Sequence, residues 1–248
     1  MNSYFTKRTM LLLATFSILL IGCNHKDESN PATKAPIKGN VNLFDSGTKP
    51  MPKNDMLISI EGSNPLVTAV TDTSGAFAFD SIPFGTYNLV FSKLGYGTYK
   101  HIGLIHQNTG GSTVVYPSIS LGQKSNTSVT GLSYSMTGGK IALAVNTSPV
   151  PSTSSPKYVR LFLSKKPNVS LFAYSYYTQA QELTANHASV YFSIKDLTNM
   201  GIQSDDTVYV KAYTDSFWSN SYLDPTTGKY QFPNINETTV GAISFIAP

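Results

Sequence analysis

The stretch TDTSGAFAFDSIPFGTYNLVFSKLGY, residues 71–96, contains the pattern that decides the fold. Asp72 can accept hydrogen bonds within a tight turn, and Gly75 can adopt the positive φ that such a turn needs. Phe77 and Phe79 follow with a spacing of two, so both side chains lie on the same face of a strand. The first half of the stretch therefore predicts a turn followed by a half-buried β-strand.

The second half of the stretch predicts a return strand. Pro83 and Gly85 favour a second reversal of the chain, and Tyr87, Leu89 and Phe91 then recur with a period of two. This alternation is typical of a strand that packs one face on a core. Consecutive hairpins of this kind predict an antiparallel β-sandwich that begins at Ile37.

Residues 37–121 closely resemble the carboxypeptidase regulatory-like family, whose pattern is T-D-x-x-G-x-F-x-F, a loop with P-x-G-x-Y-x-L, and a G-Y pair. The matching residues are Thr71, Asp72, Gly75, Phe77, Phe79, Pro83, Gly85, Tyr87, Leu89, Gly95 and Tyr96. The resemblance implies a seven-stranded, transthyretin-like β-sandwich without catalytic activity, of a fold grouped with carbohydrate-binding sandwiches. The family's usual pair of glycines around the second strand is replaced by TKPMPKNDM, residues 48–56, so we expect an irregular edge there.

A second set of strand patterns follows the polar join GQKSNTS, residues 122–128. Apolar residues alternate over 132–136, enter the pair Gly138-Gly139, and alternate again over 141–145, which predicts a glycine hairpin. Residues 159–163 predict the next strand, and residues 240–246 predict a closing strand.

Residues 188–216 resemble the E-to-F portion of fibronectin type III-like domains in surface proteins of Bacteroidota, where a strand ends in a D-L corner and the next strand reads Y-V-(K/R)-A-Y. The matching residues are Asp196, Leu197, Tyr209, Val210, Lys211, Ala212 and Tyr213. The resemblance implies that residues 126–248 form a fibronectin type III-like sandwich, although residues 165–187 fit the pattern poorly. The predicted fold class is therefore all-β, with two tandem sandwiches.

The first 22 residues have the order of a secretory signal: basic Lys7 and Arg8, an apolar run over 10–21, and Gly22 before the cleavage site. The apolar run is shorter than the roughly 20 residues that cross a bilayer. Leu20-Ile21-Gly22-Cys23 closely resembles the bacterial lipobox, which implies cleavage before Cys23 and attachment of fatty acids such as palmitate to this residue. Cys23 is the only cysteine, so lipidation leaves no thiol for disulfides, redox chemistry or catalysis.

The charged cluster behind Cys23 has two interpretations. Lys26, Asp27 and Glu28 resemble the export signal that sends lipoproteins of Bacteroidota to the outer face of the outer membrane; alternatively, they are part of an ordinary solvated tether. Residues 29–36 are rich in Ser, Pro, Thr and Lys and predict a flexible spacer. We therefore expect residues 23–36 to hold the folded part off the membrane.

Composition excludes one large class of partner. The formal charge of +4 falls to +2 without residues 1–22, which contain two basic residues and no acid. Such a small net charge argues against nucleic acid as a ligand, because nucleic-acid binding needs a clustered basic face. Only 13% of residues are charged and 12% are aromatic, which favours short strands and turns over long helices.

The sequence contains no convincing catalytic pattern, metal site or cofactor site. His101 and His106 lie five residues apart, which on a strand places their side chains on opposite faces. Asp205-Asp206 is compatible with calcium binding or acid/base chemistry, but a turn before the strand at Tyr209 is the simpler interpretation. No G-x-S-x-G, phosphate-loop or H-E-x-x-H motif is present. We therefore expect a protein that is not an enzyme.

Aromatic residues are the remaining candidates for ligand contact. The long segment before the last strand contains Phe217, Trp218, Tyr222, Tyr230 and Phe232, and the poorly matched stretch contains Tyr174, Tyr176 and Tyr177. Aromatic rings can stack on sugars or anchor a protein partner. The alternative is that most of these rings pack beneath their own loops.

Two functional hypotheses follow from these patterns. The first is a non-enzymatic surface lipoprotein whose sandwiches form a stalk and an interaction surface for a protein partner or envelope assembly. The second is a carbohydrate-binding lipoprotein of a polysaccharide capture system, with Trp218, Tyr222, Tyr230 and Phe232 as the binding platform.

Overall fold

In the computed structural model, residues 32–248 are described, and nearly all of their regular structure is β-strand. The all-β prediction is confirmed. The signal peptide, Cys23 and the cluster Lys26, Asp27 and Glu28 lie outside the described residues. Within residues 32–248, no helix has the length and apolar character required to span a membrane.

The first half of the described chain forms two sheets around one core. Its strands are β1 (Lys34–Phe44), β2 (Pro50–Met51), β3 (Leu57–Ile60), β4 (Thr68–Val70), β5 (Ala76–Pro83), β6 (Gly85–Ser92), β7 (Tyr99–His106), β8 (Thr113–Val114) and β9 (Ile119–Gly122). One sheet has the order β2-β1-β5, with β8 and β9 parallel to β1, and the other has the order β4-β3-β6-β7. The expected irregular edge is the two-residue strand β2.

The alternating residues found in the sequence form the core between these two sheets. Phe77 and Phe79 of β5, and Leu89 and Phe91 of β6, are all buried, as the period of two predicts. The chain reverses at Pro83 and Gly85, but β5 and β6 lie in different sheets and do not pair, which corrects the prediction of a hairpin there. Strand β1 begins at Lys34, three residues before the expected start of the sandwich at Ile37. Its first residues pair with the end of β5, so residues 34–36 are not part of a flexible spacer, which corrects that expectation.

The turn before β5 has the predicted chemistry. The Asp72 carboxylate accepts hydrogen bonds from the backbone N–H of Ser74 at 2.8 Å and of Ala76 at 3.0 Å. The hydrogen bond from the Ser74 hydroxyl and the bond from Ala76 hold the pKa of Asp72 below its usual value. Gly75 has φ +87°, and an added Cβ would lie 2.2 Å from the carbonyl oxygen of Val41, so only glycine fits.

The second half of the described chain forms two further sheets. Its elements are β10 (Ser128–Thr137), β11 (Lys140–Ser148), β12 (Lys157–Ser164), β13 (Tyr176–Tyr177), β14 (Gln181–Leu183), β15 (Ala188–Ser193), α1 (Ile194–Asn199), β16 (Thr207–Asp215), β17 (Tyr222–Asp224), β18 (Lys229–Gln231) and β19 (Ile243–Ile246). One sheet has the order β10-β11-β15, and the other has the order β13-β12-β16-β19, with β14 also pairing with β12. Strands β17 and β18 form a separate hairpin.

The predicted glycine hairpin joins β10 and β11, where Gly138 and Gly139 both have positive φ and Thr137 pairs with Lys140. The expected D-L corner is the short helix α1. Its N-cap Ser193 and Asp196 bond to each other in a capping box, and Leu197 packs into the core. The poorly matched residues 165–187 contain β13 and β14. The transthyretin-like and fibronectin-like types of the two sandwiches stay predictions.

Strands β12 and β16 are buried on both faces, which explains the long aromatic segments of the sequence. Alternate residues such as Leu161 and Val210 face the main core, whereas Phe162 and Tyr213 face the other way. This outer face is covered by side chains from the loop 165–175 and from residues 216–242 between β16 and β19, namely Val169, Leu171, Tyr174, Phe232 and Ile235. We call these two segments the outer layer. We call residues 216–242 the junction segment.

Candidate functional site

The junction segment, although it belongs to the second sandwich, is hydrogen-bonded to the first. The backbone N–H of Gly122 donates to the carbonyl oxygen of Trp218 at 3.2 Å, and the N–H of Phe217 donates to the carbonyl oxygen of Ser46 at 3.0 Å. The N–H of Ser125 donates to the carbonyl oxygen of Asn234 at 2.9 Å. These bonds attach the segment to the end of strand β9, to the chain that follows β9, and to the chain that follows β1.

Two buried asparagines connect these backbones through their side chains. The Asn234 amide oxygen accepts from the N–H of Gly97 at 2.9 Å and from the Asn220 amide at 3.0 Å. The Asn234 amide nitrogen donates to the carbonyl oxygens of Gly122 at 2.9 Å and Trp218 at 2.7 Å. The Asn220 amide nitrogen donates to the carbonyl oxygens of Gly97 and Gly122, both at 3.0 Å.

This buried network requires glycine at two positions. A Cβ on Gly97 would lie 2.4 Å from the carbonyl oxygen of Pro233, and one on Gly122 would lie 2.5 Å from that of Trp218. Both glycines let the two backbones approach within hydrogen-bond distance. We call the two asparagines and these two glycines the asparagine lock.

Trp218, the only tryptophan, packs on the first sandwich. Its ring stacks on Phe44 of β1, with centroids 5.1 Å apart and an interplanar angle of 27°, and Phe217 contacts it edge-on. Its indole nitrogen is buried and has no hydrogen-bond partner among residues 32–248. The Trp218 ring therefore has a structural role, because its stacking on Phe44 fixes its orientation against the first sandwich.

A cleft of about 400 Å³ opens beside Trp218, between strand β7, the residues around β9 and the junction segment. We call it the junction cleft. Four Phe, Tyr or Trp rings line it, those of Tyr99, Tyr116, Phe217 and Trp218. The ring of Tyr116 is 85% exposed. The polar part of the lining consists of the hydroxyls of Ser118, Ser120, Ser219 and Ser221, together with His101 and Asn220.

The junction cleft is uncharged near neutral pH. Burial lowers the pKa of His101 from its usual 6.5, so the imidazole is neutral at pH 7. Burial also raises the pKa of Tyr99, which keeps the phenol protonated. No Asp, Glu, Lys or Arg stands among the described residues that line this cleft. The arrangement suits an uncharged ligand with both apolar faces and hydroxyl groups.

No protein-family model matches the chain, and no curated protein matches it. Similar solved structures include a candidate carbohydrate-binding protein from Bacteroides uniformis, with 12% identity over 88% of this chain and 100% of that chain and a TM-score of 0.30. A DUF3823 family protein from Bacteroides ovatus is 13% identical over 87% of this chain and 100% of that chain, with a TM-score of 0.28. With identities and TM-scores this low, these likenesses assign neither a family nor a function.

The four aromatic residues predicted as one binding platform do not form one surface. Trp218 lines the junction cleft, whereas Tyr222 is half-buried with its ring edge-on to Tyr99, centroids 6.4 Å apart. Tyr230 is 41% exposed and lies on the β17–β18 hairpin. Phe232 is only 7% exposed, beneath the Arg160 guanidinium, and it lines with Tyr222 a cavity of about 320 Å³ that does not include Trp218. The prediction of a single platform is corrected on this point.

Phe232 is buried because it helps to cover the outer face of β12. Its ring packs edge-on against Phe162, with centroids 5.4 Å apart, and Arg160 lies 4.4 Å above its centroid. The Arg160 guanidinium in turn bonds the buried carboxylate of Asp215, with both Nε and Nη2 at 2.9 Å from the same oxygen. The alternative interpretation, packing beneath loops, is therefore correct for Phe232.

Sequence reasoning missed Tyr99, Tyr116 and the serines around β9 as members of the site. The signal available in the sequence was Tyr116, which precedes a proline in TVVYPS, residues 113–118. This tyrosine lies in the first sandwich, for which the family resemblance implied no catalytic site. His101 lines the cleft and His106 is buried against the carbonyl oxygen of Ile82. Asp205 and Asp206 lie in the turn before β16, where Lys165 pairs with Asp206 at 2.9 Å. Within residues 32–248 no group of three or more His, Cys, Asp or Glu side chains could hold a metal ion.

Proposed function

We propose that the chain is an envelope-anchored, non-catalytic binding protein that holds a neutral glycan in the junction cleft. The observation that carries this proposal is the lining of the cleft, which combines four aromatic rings with four serines and has no charged side chain among the described residues. Sugar rings offer apolar faces for stacking and hydroxyls for hydrogen bonds, and this lining provides both.

The same lining supports binding without hydrolysis. Glycosidases commonly use two carboxyl groups on opposite sides of the scissile bond, one as acid and one as base or nucleophile. The described residues of the junction cleft include no carboxylate, and its neutral His101 has no carboxylate partner in the lining. A bound sugar would therefore be held rather than cleaved.

Substitution Tyr116→Ala should weaken binding of a neutral oligosaccharide about tenfold or more, since loss of a stacking anchor costs about 2 kcal/mol. The melting temperature should not change, because the ring is exposed. A glycan array of neutral oligosaccharides, probed with a soluble form that starts at Ser29, identifies the ligand, and calorimetric titration gives the affinity. Tyr191→Ala, which removes an exposed tyrosine on β15, is the matched control.

Two results would contradict the glycan proposal. One is the absence of any bound glycan for the unsubstituted protein, and the other is equal affinity for Tyr116→Ala and Tyr191→Ala. Trp218→Ala is less informative alone, because the stacking on Phe44 means that it should lower the melting temperature as well as the affinity.

A second candidate function, a stalk that presents an interaction surface to a protein partner, is favoured by the asparagine lock. Domains joined by a flexible linker move relative to each other, whereas buried hydrogen bonds between backbones hold them in one arrangement. Residues 33–248 accordingly form one unit although they contain two main cores. This function is compatible with glycan binding at the junction cleft.

The anchor proposed for both functions is a lipid on Cys23, with Lys26, Asp27 and Glu28 directing the protein to the outer face of the outer membrane. Cys23→Ala should abolish incorporation of a labelled fatty acid and leave an uncleaved precursor, because acylation needs the thiol. Metabolic labelling followed by detergent partition measures both effects. Cys23→Ser is a closer variant with the same expected loss, and labelling of either variant would contradict the lipoprotein proposal.

A further inference from the structure

Two adjoining cavities lie in the outer layer, away from the junction cleft. Their volumes are about 380 Å³ and 230 Å³, and they adjoin at Tyr174 and Lys229, which line both. Phe172 and Tyr230 line the larger cavity, and Lys166 lines the smaller one. We call the joined cavities the lysine groove.

The described lining of the lysine groove contains two lysines and no acidic residue. Within the described part of the chain, neither Lys166 nor Lys229 forms an ion pair, whereas their neighbour Lys165 pairs with Asp206. No Asp or Glu is among the described residues that line the two cavities. Asp224, which pairs with Lys229 in the hairpin register, accepts instead from the N–H of Thr226 at 2.9 Å.

The ammonium of Lys229 is held in place by the outer layer. It donates to the carbonyl oxygen of Phe172 at 3.3 Å and lies 5.8 Å from the centroid of the Tyr174 ring. A lysine fixed in this way loses less side-chain entropy when it binds an anion than a freely rotating one does. The charge is therefore pre-positioned between the two cavities.

Exposed aromatic rings flank the same charge. Phe172 is 66% exposed and Tyr230 is 41% exposed, and both line the larger cavity. Side chains that can bond hydroxyl groups complete the lining, namely Thr227 and Gln231 in the larger cavity and Asn168 in the smaller one. Rings beside an unpaired cation and amide groups are the complement of a sugar that carries an anionic substituent.

We propose that the lysine groove binds an acidic sugar residue, with Lys229 and Lys166 on its carboxylate or sulfate group and Phe172 or Tyr230 against its ring. An acidic peptide would pair its carboxylates with the two lysines but would not need the exposed rings of Phe172 and Tyr230. The presence of these rings therefore favours a sugar as the ligand. The groove shares none of the lining residues of the junction cleft. Either site can therefore be tested without the other.

The test measures binding of the soluble form that starts at Ser29 to four polymers at physiological salt: polygalacturonate, dextran sulfate, dextran and polyglutamate. We expect binding to polygalacturonate, to dextran sulfate or to both, which identifies the anionic group, and no binding to dextran in this groove. Lys229→Met and Phe172→Ala should each weaken binding to the acidic polysaccharide about tenfold. Lys165→Met is the matched control and should weaken it less than about twofold, because Lys165 lies outside the lining.

Specific results would overturn this inference. Equal weakening by Lys165→Met and Lys229→Met would show non-specific attraction of a polyanion. Polyglutamate binding that is as tight as polysaccharide binding and insensitive to Phe172→Ala would show a site for acidic peptides. Failure of the unsubstituted protein to bind either acidic polysaccharide would also reject the proposal. Tyr116→Ala should leave binding of the acidic polysaccharide unchanged. Failure of the glycan proposal for the junction cleft is therefore distinguishable from failure of the proposal for the lysine groove.

Discussion

Substitution Asn234→Ala is expected to lower the free energy of unfolding by about 3 kcal/mol, one of the two largest effects predicted for this chain. The Asn234 side chain is fully buried and bonds to Gly97, Gly122 and Trp218 as well as to Asn220. Its removal leaves the N–H of Gly97 buried without its partner, and burial of an unpaired polar group costs about 1–3 kcal/mol. Urea denaturation of the soluble form measures the change.

The asparagine lock also predicts the shape of the unfolding transition. The two sandwiches have separate cores, so loss of the lock should separate one calorimetric transition into two. Asn40→Ala is the matched control, since the Asn40 amide makes one 3.4 Å bond to the carbonyl oxygen of Ser74 and should contribute less than about 0.5 kcal/mol. Equal stability of the two variants would show that the lock does not hold the sandwiches together.

Substitution Arg160→Met is expected to cost about 3–5 kcal/mol, because it leaves a buried carboxylate without its counter-ion. Asp215 and Arg160 are each 1% exposed, and the guanidinium also donates to the carbonyl oxygen of Thr178 at 2.6 Å. The double variant Arg160→Met/Asp215→Asn should recover a large part of the loss. The neutral amide can still accept the bond that the N–H of Ser216 now makes to Asp215 at 2.8 Å. Denaturant midpoints of the single and double variants measure this recovery.

The Arg160→Met variant should also acquire a distinctive pH dependence. Burial raises the pKa of Asp215 above its usual 3.8, and Arg160 opposes this effect in the unsubstituted protein. Without Arg160 the folded state binds a proton at a higher pH than the unfolded state does. The stability deficit should therefore shrink as the pH falls from about 7 toward 4 and return as the pH rises. A deficit independent of pH, with no recovery in the double variant, would show that lost packing on Phe232 dominates.

Local patterns in the sequence predicted the longer strands and several of the turns. The run from Thr71 to Tyr96 folds as its alternation indicates, and Gly75 and the Gly138-Gly139 pair occupy the positive-φ positions expected of them. These features depend on residues a few positions apart, because side chains in a strand alternate between two faces and tight turns need particular backbone angles. The sequence by itself therefore determined the all-β class, the β10–β11 hairpin and the buried faces of the long strands, but not the sheet to which each strand belongs, since β5 and β6 lie in different sheets.

Only the tertiary structure decided which aromatic residues are accessible and where the candidate sites lie. Alternation indicates that a ring is half-buried, but it does not name the surface that covers it. Phe232 is covered by Arg160, and Trp218 stacks on Phe44 from the other sandwich. Tyr116 comes beside Trp218 only because the junction segment returns to the first sandwich. These contacts join residues far apart in the chain, and a local pattern carries no information about which distant surfaces will meet.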